Sequence, residues 1–336
     1  MKVALLDARQ GSRDPANSST VAYRNMLILA KELCADLFVS AEQLVNAGGD
    51  YDAIICGFGS TSTERTESVK FLQRNEQANL FWLVGEYEQS TFAPLFYAKR
   101  QYHVLRNYDH PMRNKQASGQ TFVNLNALLA GPAPDDNTSR QYGAIYYGRW
   151  RDDRSEYFAR YLQGGVMLST SPKNMKVFAG NRCNPKYARA LSWASGRETL
   201  RLFAASLYIE DRFTHTHYNC PANRYYEAIK CGVPIVAQPE SKHTFDRYGI
   251  VLEPWRYVAD AKQLHDIGER LLNDADFMSD ALETQRAWGA LAVKEKANVI
   301  ATIKLAISGG KRLQDFTGKE AVLESTGETY NSKMTV

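Results

Sequence analysis

The sequence predicts an α/β protein built from two doubly wound, Rossmann-like domains facing a cleft. Three observations lead there. Short, nearly all-apolar runs such as "KVALLDA", "YDAIICGFGS", "NLFWLVGEYE", "YGAIYYG" and "VPIVA" end in Gly or polar residues, as parallel strands buried on both faces do. Stretches of helical period separate several of them. The chain of 336 residues exceeds the usual extent of one core, and a polar stretch with two prolines, "AGPAPDDNTSRQ" (130–141), lies near its middle.

Taken in order, "KVALLDA" opens the first domain as a strand. "SSTVAYRNMLILAKELCA" follows as a helix with Ser18 or Ser19 as N-cap. "DLFVS", "YDAIICGFGS", "NLFWLVGEYE" and "YHVLRN" read as further strands, and "TFVNLNALL" as a strand and turn. We place this domain at 1–130, a linker at 131–141 and a second α/β domain at 142–308. In the second domain "YGAIYYG" is a strand and "DDRSEYFARYLQG" a helix with acids at its dipole-favoured end. "NMKVFAG" reads as a strand, "SGRETLRLFAAS" as a helix, "LYIED" as a strand and "RFTHTHYNCPA" as a loop. "NRYYEAIKCG" is a helix ended by Gly232, and "VPIVA" the strand after it. Two long amphipathic helices complete the domain, and residues 309–336 form a polar tail.

Composition narrows the class. Hydrophobic content of 44% and charged content of 23% are those of an ordinary globular protein, and no apolar run is long enough to span a bilayer. The N-terminus lacks the apolar core and cleavage site of a signal peptide. Five scattered cysteines (34, 56, 183, 220, 231) argue against a disulfide scaffold, so a cytoplasmic location is expected. A net charge of +4 permits an anionic partner without requiring one.

Several chemistries lack their motif. "CGFGSTS" has Gly57 and Gly59 but Ser62 where a dinucleotide fingerprint needs its third glycine, and "GSTSTERT" lacks the ending of a P-loop. His215, His217 and Cys220 form a conceivable zinc cluster with no obvious fourth ligand. Asp50-Tyr51-Asp52 precedes its strand rather than following it, and Asp274-Ala275-Asp276 lies between helices as a cap. Without a G-x-S-x-G there is no anchor for a hydrolase triad.

The stretch "NRYYEAIKCGVPIVA" resembles the E-A-x-x-x-G-x-P-x-V signature of the donor domain of GT-B fold glycosyltransferases, with Glu227, Gly232, Pro234 and Val236 at the matching places. The resemblance implies a GT-B-like architecture in which Glu227 accepts hydrogen bonds from the ribose of a nucleotide sugar. Backbone N–H groups near Ala222–Arg224 then face the diphosphate, with Arg224 and Tyr225 beside it. Many members carry a second Glu eight residues earlier; here that position is Asn219. "YYGRWRDDR" is similar to the basic loop after the first strand of that domain, which implies that Arg149 and Arg154 neutralise the diphosphate and stabilise the leaving group. For Arg154 the competing reading is a surface pair with Asp152, Asp153 or Glu156.

On the acceptor side, "LFWLV" ends in "GEYEQS", which resembles the position of a polar cluster in bacteriophage DNA glucosyltransferases. Glu86, then Glu88, is the candidate general base on the acceptor hydroxyl, with Asp7 third by the same strand-end geometry; solvent-exposed strand ends are the competing reading. That likeness implies a hydroxymethylated DNA base as acceptor, with Lys99, Arg100, Arg106 and Arg113 on phosphates. The resemblance therefore implies a metal-independent transferase that moves a hexose from a UDP-sugar, UDP-glucose, with no other cofactor and no membrane partner. A cell-envelope or small-molecule acceptor, or a non-catalytic nucleotide- or nucleic-acid-binding protein, is the alternative.

Overall fold

A computed structural model describes residues 1–7, 21–57, 62–84, 97–107, 117–134, 139–188, 191, 199–218 and 220–309. Two sheets, each parallel throughout, organise them into two compact units. The first unit draws on 1–12, 26–125 and 299 onward, the second on 13–25 and 126–298.

The first unit contains β1 (Val3–Leu6), β2 (Asp36–Phe38), β3 (Ala53–Cys56), β4 (Asn79–Val84), β5 (Tyr102–Arg106) and β6 (Ala117–Phe122), in the order β2-β1-β3-β4-β5-β6. Its helices are α1 (Val21–Leu33), α2 (Ala41–Asn46) and α3 (Ser62–Arg74). β1 and β3 are buried at every position, which is why they read as unbroken apolar runs rather than alternating ones. Strand order reverses between β1 and β3, and Asp7 and Gly57 stand at the carboxyl ends of those two strands. A Cβ on Gly57 would lie 3.3 Å from the Asp7 carboxylate and 3.2 Å from Met26.

The second unit contains β7 (Tyr142–Tyr147), β8 (Met167–Ser169), β9 (Lys186–Ala188), β10 (Phe203–Tyr208) and β11 (Ile235–Ala237), in the order β11-β10-β7-β8-β9. Its helices are α4 (Ser155–Tyr161), α5 (Pro172–Gly180), α6 (Arg212–His217), α7 (Asn223–Lys230), α8 (Lys242–Tyr248), α9 (Ala261–Asn273) and α10 (Ala275–Ser308). The residues of β7 face two cores in turn. Ala144 and Tyr146 pack with Phe158, Tyr161 and Leu264, whereas Ile145 and Tyr147 pack with Phe203, Cys231 and Val233. The strand is thus covered on both faces, and the point where strand order reverses falls between β7 and β10.

Three sequence expectations need correction. "NMKVFAG" is helix α5, not a strand: the Ser171 side chain accepts from the Asn174 N–H, and Pro172 occupies the first turn, so a capped start overrides a short apolar run. "RFTHTH" is helix α6 rather than loop, because Asp211 caps it by accepting from the Thr214 N–H at 2.8 Å. The strand read as "LYIED" begins at Phe203, since "FAASLY" is buried throughout and pairs with β7 and β11. Strands β8 and β9 carried no sequence signal, being three residues each. Asp274 does cap its helix, accepting from the Phe277 N–H at 3.0 Å.

The described part of the 131–141 stretch packs against the second unit. The Arg140 guanidinium donates to the Gly232 carbonyl at 2.6 Å, and a Cβ on Gly232 would meet Pro134 at 2.7 Å. With φ at +62°, Gly232 also occupies the left-handed region that favours glycine. Residues 310–336, nearly all of the expected tail, lie outside the described residues, as do Ser18 and Ser19.

Candidate active site

At the β7–β10 reversal the second unit gathers charged side chains at the carboxyl ends of its strands, where open parallel sheets bind ligands. β7 delivers Tyr146 and Tyr147 and ends in Gly148, whose φ is +151°. A Cβ there would lie 2.9 Å from the Arg224 guanidinium, so glycine leaves the room that this side chain occupies. β10 leads into Glu210 and Asp211, and α7 supplies Arg224 in its first turn and Glu227 one turn on.

Glu210 is the hub. One carboxylate oxygen lies 2.5 Å from an Arg154 nitrogen and the other 2.6 Å from one of Arg224. Arg154 also pairs with Asp211 at 3.2 Å and more loosely with Asp153 at 3.6 Å. Burial opposes its charge, but Glu210, Tyr146, Asp211 and Asp153 together hold its pKa above the ordinary arginine value. Arg224 donates further to the Tyr147 carbonyl at 3.2 Å and the Tyr146 hydroxyl at 3.0 Å, and its guanidinium stacks 4.7 Å from the Tyr146 ring. Each buried arginine therefore has a charged partner and a fixed direction.

Glu227 forms a second group. It is 4% exposed, although it lies on a helix that opens toward the loop end of the sheet. Its carboxylate accepts from Arg24 at 2.7 Å, from the Tyr147 hydroxyl at 3.0 Å and from the Asn223 amide at 3.3 Å. Arg24 belongs to the opening turn of α1, the part of that helix that groups with the second unit. Burial raises the Glu227 pKa, against the opposing pull of Arg24 and the two other donors. Burial and the Glu227 charge push the Tyr147 hydroxyl well above its usual range, which keeps it a donor. A buried carboxylate held by three donors is an oriented acceptor with defined lone pairs, suited to a vicinal diol that replaces one of them.

Arg149, Arg224 and Glu227 stand on neighbouring elements, and Arg149 is exposed with no ion pair among the described residues. Arg154 departs from a cation waiting for phosphate: it is 8% exposed and bound chiefly to Glu210 and Asp211, with Asp153 as a looser neighbour. The Ala222 N–H is already occupied by the Tyr208 hydroxyl at 2.9 Å. Tyr225 faces inward against Tyr226, Phe245 and Tyr248, so it builds the wall behind α7 rather than the site's lining. The sequence reading missed Glu210, Tyr147 and Arg24. Glu210 had a signal, since it ends a strand as Asp7 does; Arg24 had none.

In the first unit two expected phosphate contacts prove structural. Arg100 donates to the carbonyls of Leu72, Asn75 and Glu76, each at 2.9 Å, and so closes the carboxyl end of α3. Arg106 is 2% exposed, with its guanidinium 4.9 Å from the Phe122 ring. Lys99 is exposed. Glu86, Glu88, Arg113 and Asn219 lie outside the described residues. Asp7 is 1% exposed at the end of β1. His215 is engaged through both ring nitrogens, by Thr244 and Gln238, and among the described residues no group of three or more His, Cys, Asp or Glu side chains is arranged to hold a metal ion. Nor is any described helix long and apolar enough to cross a membrane.

No protein-family model matches the chain, and no curated protein matches it in sequence. Solved structures do match in shape. T4 phage β-glucosyltransferase superimposes with a TM-score of 0.67 at 15% identity, over 91% of this chain and 99% of its own. The same enzyme with UDP-glucose gives 0.68 at 14% identity over the same shares. The fold is GT-B. An α-glucosyltransferase bound to UDP-glucose and DNA with an abasic site shares it, with a TM-score of 0.58 at 9% identity over 90% of this chain and 99% of that one. In the GT-B frame of this chain, the second unit carries the E-A-x-x-x-G helix as α7 and the basic loop as the segment after β7.

Proposed function

We propose that this chain is a glycosyltransferase that moves a hexose from UDP-glucose to the hydroxymethyl group of a DNA base. The observation that carries the reading is the charge arrangement at the β7–β10 reversal: the oriented Glu227 carboxylate beside Arg224 and Arg154, both paired with Glu210, with the exposed Arg149 on the adjoining loop. In this reading Glu227 holds the ribose diol and exchanges its Arg24 bond for a ribose hydroxyl. Arg149 meets the diphosphate from solvent, and Arg224 turns its guanidinium edge to it while anchored by Glu210. Arg154 acts behind them by keeping Glu210 in place. As the bond from sugar to diphosphate breaks, negative charge grows on the leaving UDP, and fixed guanidinium groups stabilise it without reorganising.

The first unit takes the acceptor. Glu86, Glu88 or Asp7 removes the proton from the acceptor hydroxyl, and the exposed Lys99 meets a phosphate of the acceptor. The support for DNA is the GT-B likeness to phage glucosyltransferases, one of which is bound to DNA. Reaching a base hydroxyl inside a duplex calls for extruding the nucleotide. An intracellular site of action follows from such an acceptor. The arginines supply the leaving-group charge, so transfer is expected to persist in EDTA; because one T4 phage neighbour is bound to UDP and Mn2+, the assay includes a Mn2+ arm.

The deciding experiment follows labelled glucose from UDP-glucose to duplex DNA with and without hydroxymethylated cytosine. Incorporation confined to the modified duplex, and abolished in Glu227→Ala, is the expected result. Stabilisation by UDP-glucose without transfer to either DNA would move the acceptor to another class. No stabilisation by any nucleotide sugar would leave a binding protein on a transferase scaffold.

A further inference from the structure

Glu210 holds the arginine pair, and a chain of neutral polar groups holds Glu210. Gln238, fully buried just after β11, accepts from the Glu210 backbone N–H at 3.3 Å and donates to the Glu210 carbonyl at 3.2 Å. Those two backbone groups cannot exchange roles, so the amide has one orientation; turning it over would set donor against donor and acceptor against acceptor. In that orientation the Gln238 amide nitrogen also directs a hydrogen at His215 Nε2, 3.0 Å away. Nε2 must therefore accept, and the ring proton resides on Nδ1, which donates to Thr244 Oγ1 at 3.0 Å. A second proton on His215 would place two donors face to face in a site only 6% exposed.

We infer that His215, in its neutral Nδ1–H form, is a positioning residue for the donor site: through Gln238 it holds the backbone of Glu210, and with it the carboxylate that bridges Arg154 and Arg224. The inference rests on the donor-site reading above. The charged groups that act on His215 are Glu210 and Asp211 after β10 and Glu240 in the turn after β11. Its own helix carries Arg212 and His217, and α8 carries Lys242, His243, Asp246 and Arg247 around the neutral Thr244. Burial outweighs the upward pull of the three carboxylates and of the Glu210 backbone and lowers the His215 pKa below its ordinary 6.5. The neutral form is thus the resting one, and acid disrupts it.

The test measures UDP-glucose affinity of the full chain, without acceptor, by calorimetry between about pH 7.5 and about pH 5, a range that runs from above to below the ordinary histidine value and leaves the sugar nucleotide's charge unchanged. The wild type is expected to weaken toward acid by roughly tenfold, the size of one buried hydrogen bond lost. In His215→Gln, which keeps an acceptor for Gln238 but no titrating proton, that decline should shrink to the part carried by the raised Glu227 carboxyl. Ring-labelled histidine NMR on the wild type, which needs no donor, should report a neutral Nδ1–H tautomer. An Nε2–H tautomer, or superimposable pH profiles for wild type and His215→Gln, would sink the inference alone. A wild type that binds no UDP-glucose at any pH would sink the donor reading and the inference with it.

Discussion

Glu227 is a carboxylate that burial works against and three donors retain. Because its pKa is raised on folding, the folded chain holds more protons than the unfolded one in the window between the two values, and stability falls as pH rises through that window. Glu227→Gln removes the titration. The melting temperature of the wild type relative to this variant should decline as pH rises from below the ordinary carboxylate range to neutrality, while the variant loses UDP-glucose affinity at every pH. A difference that stays constant with pH would mean that Glu227 is not buried as described. Glu210→Ala removes the nearest carboxylate of both guanidinium groups, leaving Arg154 its longer pairs with Asp211 and Asp153 and Arg224 only neutral acceptors among the described residues, and a loss of about 3 kcal/mol in urea-derived stability is expected. An effect under about 1 kcal/mol, the range of a surface pair, would contradict the bridge.

The loop that leaves β7 depends on Gly148 for its path and on its own side chains for its shape. The Trp150 backbone N–H donates to the Asn174 side chain at 3.1 Å, and its ring packs on Phe158 and Phe178. Gly148→Ala places a Cβ in the left-handed region and 2.9 Å from Arg224. We expect it to cost about 1–3 kcal/mol and to weaken UDP-glucose binding together with stability, as read by melts with and without ligand. Ser171→Ala, which removes the cap of α5, should cost only about 1 kcal/mol and leave binding intact. If the two variants behave alike, the loop after β7 is not part of the donor site.

Across the chain, α10, like α1, divides between the units: its residues up to 298 group with the second and those from 299 with the first. Val299, Ile300, Ile303, Ala306 and Ile307 are all buried, so the end of this helix completes the core of the first unit. A chain ending at Asn298 should therefore keep UDP-glucose-dependent protection of the second unit and lose amide protection in β1 to β6. Hydrogen exchange reads both at once. Equal protection of the first unit with and without residues 299–336 would show that the helix end is dispensable. The acceptor reading belongs to the same scale: if exposed cations carry DNA, its affinity should fall linearly on a log–log plot against salt, whereas the affinity for UDP-glucose changes far less.

Strands, helices, two α/β halves and the α7 signature were legible in the chain because period, caps and turn residues are local properties. So were Arg149, Arg224 and Glu227, which lie beside strand ends and a helix start that local patterns mark out. The fate of each charge was not. Arg154, Arg100 and Arg106 look like free cations in one dimension, yet folding seats them on carboxylates, carbonyls and an aromatic ring. Arg24 meets Glu227 from 203 residues away, and no pattern announces the pairing. A side chain's charge is written in the sequence, but whether it faces solvent or a buried partner depends on which strands lie side by side, and only the tertiary structure decides that.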